Sequence, residues 1–400
     1  TALHAADSYD VCVYGGNASG VMAACAAAKE GAQVIVVEPS RWLGGMTGGG
    51  LMHIDWGREE AVSGSTRPIL KQDFNDAQYR QVFAEMLKSA GVTVLFEHRV
   101  GAALKVDGLI RTVDLDFAPF DEYGCPPAKP TKAMARVIKA KVFIDCSYEG
   151  DLMARAGIAY AYGREAKSTY DESLAGAQPP MSVYAIDPYV KAGAPHSGLL
   201  PGLQVTPVAP VGEADKLTMG YGFRWRFVFK GESLPIEPPA NYDPKQFELY
   251  RRAFQQGVDI LSGRVMRGKV DGWEVSGGRV YSGGAGNLAR ALFAPTNYGH
   301  NAGYADGDYA TRARIWKQQQ DFVRGMTHFL RTDPSVPAKQ KEIALSAGLE
   351  KGAFDDTRGY PHQLYVREAR RMVSDYVVTQ KDLEGRTSPA DSVGLASYGV

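Results

Sequence analysis

An α/β fold built on a nucleotide-binding strand–helix–strand unit is predicted by three features near the start of the chain. A short apolar run, Tyr9–Tyr14, opens onto Gly15-Gly16-Asn17-Ala18-Ser19-Gly20. Val21 to Glu30 is alanine-rich with high helix propensity, and it ends at Gly31, a residue suited to the position just past a helix. A β-branched run, Gln33 to Val37, then finishes on Glu38. Strand, glycine turn, helix, strand and acid within about 30 residues make a βαβ unit.

The remaining elements follow from periodicity and turn residues. Helical spacing of Phe74, Val82, Phe83, Met86 and Leu87 predicts a helix from about Phe74 to Ser89, and Val92–Glu97 reads as the next strand. Leu104–Phe117 and Met134–Ile144 alternate β-branched with polar residues, and the loop between them, Ala118–Pro130, carries four prolines. Prolines and glycines erase periodicity from about Tyr170 to Thr218. Met219–Phe229 alternates aromatic and polar residues as a strand does, and Gly263–Gly286 is glycine-punctuated and short-stranded. Two helices are expected late in the chain, at about Tyr309–Leu330 and about Leu364–Thr379. No internal repeat interrupts this order.

Composition sets outer bounds. Apolar residues make up 44% and charged residues 22%, as in a soluble globular chain of two or three domains. Lysine plus arginine and aspartate plus glutamate both total 45, so the formal net charge is zero. That gives no electrostatic reason to expect nucleic acid or an anionic membrane as partner. No run of about 18 apolar residues is present to span a bilayer. Cys12, Cys25, Cys125 and Cys146 are too scattered for a disulfide framework or a C-x-x-C metal site, so no metal is expected. The small apolar opening Thr-Ala-Leu-His-Ala-Ala resembles the tail of a secretory leader and favours a periplasmic or secreted location over a cytoplasmic one. Ser392–Val400 reads as mid-domain, so the natural protein is expected to continue.

The glycine turn departs from G-x-G-x-x-G in one place, with Asn17 between Gly15 and Gly20. Asparagine tolerates left-handed backbone angles, and its amide can donate to a phosphate oxygen. The free N–H groups and the dipole of the following helix supply an anion site. Glu38 lies where a carboxylate accepts both hydroxyls of an adenosine ribose. A second cluster, Leu43-Gly44-Gly45-Met46-Thr47-Gly48-Gly49-Gly50-Leu51, holds five glycines in seven residues. Backbone able to lie close against a second part of the ligand suits a longer dinucleotide, FAD, better than NAD.

Asp10 through Leu51 resembles the FAD-dependent oxidoreductase family of the glutathione-reductase-like superfamily, in its bacterial branch often labelled xanthan lyase-like. Ile144-Asp145-Cys146-Ser147-Tyr148-Glu149-Gly150-Asp151-Leu152 forms a second block, followed by Gly163-Arg164-Glu165 and Glu172-Ser173-Leu174-Ala175-Gly176. Gln363 to Met372 forms a third. The resemblance implies a Rossmann-like FAD-binding domain of the glutathione-reductase type with an inserted β-rich α+β substrate domain. The expected division is 1–165 for the main part of the FAD-binding domain, 166–360 for the substrate or cap domain, and 361–400 for a return segment. It further implies that Val100 contacts adenine through its backbone, and that Cys146 and Ser147 border the adenosine and pyrophosphate. With Pro39, Ser40 and Asp151, these join the turn, Glu38 and the ribbon as cofactor-binding candidates.

A flavin accepts a hydride while the protein supplies orientation and a base. Histidine suits a base that works near neutral pH. His53 follows the second glycine cluster and can serve as base or as the point of a covalent flavin link. His300 lies in an aromatic, glycine-rich loop, and His362 precedes the expected Leu364 helix as a structural residue. Arg367 can stabilise charge on reduced flavin or grip a substrate carboxylate. Asp55 and Glu149 are placed near the cofactor, whereas Arg370 and Arg371 are read as an ion-paired face, with Glu368 pairing Arg371. The alternating Tyr221, Phe223, Trp225 and Phe227 read as core before they read as a carbohydrate platform. H-E-x-x-H, G-K-[ST] and G-x-S-x-G are absent, so nothing in the sequence supports a metalloprotease, a P-loop NTPase or an α/β-hydrolase. The leading expectation is an enzyme oxidising a small organic substrate, with an unidentified electron acceptor. A binding or scaffold protein that keeps the nucleotide fold, and an NAD-dependent dehydrogenase, are the alternatives.

Overall fold

A computed structural model describes residues 6–51, 57–62, 64–70, 72, 74–178, 186–203, 207–228, 231–257, 275–276, 279–281, 300–395 and 397. The first unit forms as expected: β1 (Asp7–Tyr14), α1 (Ala18–Lys29) and β2 (Val34–Glu38). A one-turn helix α2 (Met46–Gly49) and the longer α3 (Asp76–Ser89) follow. Asn75 starts α3 with a reciprocal capping box, its side chain accepting from Gln78 N while Gln78 accepts from Asn75 N. Next come β3 (Thr93–Phe96), β4 (His98–Val106), β5 (Leu109–Phe117) and β6 (Lys132–Asp145).

These strands form one sheet in the order β3-β2-β1-β6-β5-β4. Its β3, β2, β1 and β6 run parallel, while β5 and β4 return antiparallel. Fourteen-residue β6 serves both regions: Lys132–Lys139 pairs with β5, and Ile138–Asp145 pairs with β1. Val34–Val37 are buried without alternation, as a parallel strand covered on both faces requires. One face packs Cys12, Tyr14, Ile35 and Val37 with Val100, Val113 and Leu115. On the other, Val13, Val34 and Val36 meet Val21 and Ala24 of α1 and Tyr79, Phe83 and Leu87 of α3. The carboxyl ends of β1, β2 and β6 converge, with Gly15 N donating to Val37 O and Cys146 N to Tyr14 O, both at 2.8 Å. In open α/β sheets this edge is where ligands bind.

A third core is aromatic. It gathers Tyr221, Phe223, Trp225 and Phe227 with Phe247 and three helices, α5 (Glu248–Gln255), α6 (Tyr309–Thr332) and α7 (Ala338–Ser346). Helix α4 (Asp151–Arg155) follows β6, and β7 (Tyr160–Ala161) follows α4. A small sheet orders β11 (Gly348–Leu349), β8 (Arg226–Val228), β10 (Arg279–Tyr281) and β9 (Val275–Ser276). The rest of Gly263–Gly286 lies outside the described residues.

Three expectations need correction. Only Arg226–Val228 of the Met219–Phe229 run is strand among the described residues, although Tyr221, Phe223, Trp225 and Phe227 are all buried. Helices α5 and α7 were not anticipated. The helix expected at Leu364–Thr379 is absent: the segment is irregular apart from β12 (Arg371–Met372), which runs antiparallel to β7. Its amides find distant partners, Tyr365 N on Gly222 O at 3.0 Å and Val373 N on Ala159 O at 2.9 Å. Those long-range bonds satisfy the backbone groups that a helix would have paired locally.

Candidate cofactor site

The glycine turn is shaped by three neighbours. Gly15 has φ +99°, and a Cβ there would lie 2.9 Å from the backbone of Cys146 and Ser147. Gly16 N donates to Glu38 Oε2 at 2.6 Å, which ties the turn to the end of β2. Asn17 is extended (φ −70°, ψ −179°), so the left-handed tolerance expected of it is not used. It serves instead as N-cap of α1, its Oδ1 accepting from Gly20 N at 3.0 Å and from Ser19 Oγ at 2.8 Å. One of its two amide donors goes to the Cys146 carbonyl. The N–H groups of Ala18 and Ser19, in the first turn of the helix, have no intrahelical acceptor and face the carboxyl edge with the positive end of the helix dipole.

Glu38 is held from both sides. Its Oε1 accepts from Ser40 N at 2.8 Å and Ser40 Oγ at 2.6 Å. Burial pushes its pKa up, and the donors from Ser40 and Gly16 work against that rise. Pro39, between them, opens toward a cavity beside Ser147.

The second glycine cluster docks on the first. Gly44 N donates to Gly16 O at 2.8 Å, and Gly44 forms a parallel bridge with Asn17. Met46 N donates to Tyr148 Oη at 2.9 Å and Thr47 N to Gly44 O at 3.0 Å. Gly45 (φ +52°) lies beneath Tyr148, whose hydroxyl a Cβ would meet at 2.5 Å. Burial pushes the Tyr148 pKa up to about 12, so its hydroxyl stays protonated. Gly49 gives room to Gln363 and His362, so much of this ribbon's close approach is to the protein itself.

The segment after β6 closes the site. Ser147 N and Oγ donate to Asp145 Oδ1 at 2.9 and 2.6 Å. Asp151 starts α4 and accepts from Arg312 at 2.6 Å and Arg370 at 2.9 Å. Glu149 accepts from Tyr304 Oη at 3.0 Å, and burial pushes its pKa up. Val100 is fully buried; its N–H reaches Tyr14 Oη at 3.4 Å and its carbonyl accepts from Tyr309 Oη at 2.9 Å. An adenine bonded to the Val100 carbonyl would share it with Tyr309 or replace it.

The other candidates are dispersed. His53 and Asp55 lie outside the described residues. His300 sits on the aromatic core, edge-on to Phe322 at 6.1 Å, where burial lowers its pKa. Arg367 is exposed and stands over Tyr365 at 5.6 Å. Arg371 pairs with Glu165 at 2.6 Å and not with Glu368, which accepts from Met219 N, because no helix forms there to set the two residues on one face. Tyr148 and the α6 residues around Ser147 were not foreseen as parts of the site. Tyr148 stood inside the second sequence block, whereas nothing local marked those on α6. Among the described residues, no cluster of three or more His, Cys, Asp or Glu could hold a metal, and no helix is long and apolar enough to cross a membrane.

A βαβ unit with two amides at its helix start that lack intrahelical acceptors, and an acid closing the second strand and tied to the glycine turn, fits the phosphates and ribose of a dinucleotide. These features define a Rossmann-type dinucleotide-binding protein. The chain belongs to the FAD dependent oxidoreductase family, whose model matches residues 10–400, and FAD is its cofactor. Solved structures similar to it include Thermovibrio ammonificans THI4 (20% identity, TM-score 0.29, covering 40% of this chain and 66% of that one). L-proline dehydrogenase from P. horikoshii matches at 15% identity and TM-score 0.28, over 40% and 59% of the two chains. T. acidophilum thioredoxin reductase matches at 17% and 0.23, over 34% of each. The chain thus spans less than two thirds of each of these proteins. Comparison with curated proteins gave no match.

Proposed function

We propose that this chain oxidises a small organic substrate, a carbohydrate-derived alcohol or acid, with FAD as hydride acceptor, and hands the electrons to a separate acceptor. The observation that carries the reading is the Gly44–Gly16 bond, which sets the ribbon beside the turn and Glu38. Bound FAD supplies the redox chemistry.

The chain's own residues supply binding and orientation. Ala18 and Ser19 N–H groups receive the pyrophosphate, and Glu38 takes the ribose hydroxyls. Tyr365 carries two cations, Arg224 at 4.9 Å and Arg367 at 5.6 Å. The carbonyl of Arg224 lies 3.3 Å from where a Cβ on Gly50 would stand, so this cationic pair borders the end of the ribbon. A guanidinium there suits a sugar-acid carboxylate. His53, three residues beyond Gly50, is the base we assign to proton removal, with His300 as the second candidate.

The test is acid precipitation of the purified protein, assay of the supernatant and pellet for flavin, and a screen of sugars and sugar acids with a dye acceptor. The reading expects released FAD and dye reduction by at least one substrate. Pigment retained in the pellet would place a covalent link at the flavin. Protein that carries flavin yet reduces no dye across the screen would favour the scaffold alternative.

A further inference from the structure

The glycine ribbon rests on one stripe of α3. A Cβ on Gly44 would stand 3.0 Å from the Phe83 ring, and one on Gly48 would stand 2.9 Å from Arg80 Cγ. Gly50 N donates to Asp76 Oδ1 at 2.9 Å. Asp76, Arg80 and Phe83 follow the spacing i, i+4, i+7, so they share one face of the helix. Of the three, Arg80 alone brings a positive charge to the ribbon.

Arg80 is fixed by its own bonds. Its Nη1 donates to Gly48 O at 2.6 Å, its Nη2 donates to Ala353 O at 2.8 Å, and its guanidinium stands 5.4 Å from the centre of the Phe354 ring. An ionised donor makes the stronger hydrogen bond, so the Gly48 carbonyl is held more firmly than a neutral side chain would hold it. Among the described residues its partners are carbonyls. The carboxylates that act on it, Asp76 and Asp356, are bonded instead to Arg226 and to Trp42 Nε1. Its field is felt along the ribbon. His362 Nε2 lies 3.0 Å from where a Cβ on Gly49 would stand, and its pKa is lowered by burial and then by Arg80.

We propose that Arg80 is a positioning residue for the flavin end of the site: it fixes the Gly48–Gly50 turn and sets beside it a positive charge that favours reduced flavin. This rests on the FAD reading, in which the ring lies along Gly44–Gly50. A hydride carries two electrons and one proton, so its uptake from substrate leaves the flavin with one negative charge, which a fixed cation stabilises.

The test measures the two-electron midpoint potential of the FAD-loaded protein, by equilibration with a reference dye, in wild type, Arg80→Met and Arg80→Lys. Arg80→Met should move the reduction equilibrium about tenfold toward oxidised flavin, a fall of about 30 mV in potential. Arg80→Lys, which keeps the charge, should recover most of that shift. A residue that only shapes the turn gives no such dependence on charge. Arg80→Met holding FAD at the wild-type potential, or both variants shifting equally, would overturn the proposal. Where Arg80→Met does not retain flavin, Arg80→Gln, neutral yet still a donor to Gly48 O, carries the same comparison. Loss of flavin from all three variants, the charged lysine included, would also overturn the role of the charge. Wild-type protein without flavin would remove the FAD reading itself, an outcome distinct from a loaded variant at the wild-type potential.

Discussion

The indole of Trp42 lies flat on the imidazole of His362, with ring centroids 3.9 Å apart and planes 8° from parallel. Phe354 closes the imidazole edge-on at 5.4 Å, and neither ring nitrogen has a hydrogen-bond partner. Burial, with Arg80 and Arg41 nearby, holds the His362 pKa well below its ordinary 6.5. The folded state keeps this histidine neutral, whereas the unfolded chain protonates it below about pH 6.5. Unfolded protein then binds the extra proton, so stability is full above that pH and falls as the pH drops beneath it, by up to about 1.4 kcal/mol per unit. Urea titrations at pH 7, 6 and 5 should show this slope in wild type and a shallower one in His362→Phe.

Asp76 joins the ribbon to the aromatic half of the molecule. Its Oδ2 accepts from Arg226 Nε at 2.6 Å, its Oδ1 from Gly50 N at 2.9 Å, and both charged side chains are under 5% exposed. Asp76→Ala removes the closer of two carboxylates on Arg226, the other being Glu350 at 3.3 Å. A loss of about 3 kcal/mol in unfolding free energy is expected, since the buried guanidinium loses its closer counter-charge. Asp76→Asn, which keeps acceptor and volume, should lose less.

Gly15→Ala tests the turn. The substitution meets both an unfavourable φ of +99° and the backbone of Cys146 and Ser147. Strain of about 1–3 kcal/mol is expected in a urea titration, with FAD affinity reduced at least tenfold in a fluorescence titration. Gly31→Ala has nothing within 4 Å of its Cβ, so it should show the strain of its φ, +88°, and normal FAD binding.

Asn17 acts as a helix cap. Asn17→Ala should destabilise the protein by about 1 kcal/mol and Asn17→Gly by only a few tenths, as measured by thermal unfolding. A glycine at this place restores the common turn pattern yet loses the bond to Cys146 O, so it should not improve FAD retention.

How much could be read from the sequence depends on where each residue's partners lie. Tyr9 to Glu38 announced its strand, turn, helix and acid because each of these features is local, and the structure differs there by at most three residues at element ends. Tyr309–Thr332 was equally legible, since α6 presents Ile315, Phe322, Met326 and Phe329 inward at helical spacing. Leu364–Thr379 misled because Val366, Ala369, Met372 and Val373 also suit a helix, while the deciding bonds run to Gly222 and Ala159. In the site, Gly15, Gly16 and Glu38 were visible through motif spacing. Tyr309 was not, because it reaches the Val100 carbonyl only through the packing of α6 on the sheet edge and carries no neighbouring pattern.

Diffraction from crystals grown with FAD measures the central arrangement most directly. The pyrophosphate should lie within hydrogen-bond distance of Ala18 and Ser19 N–H, with the ribose on Glu38 and the ring system extending along Gly44–Gly50. Flavin density that leaves the α1 start and Glu38 untouched, or that turns away from the ribbon, would contradict the account.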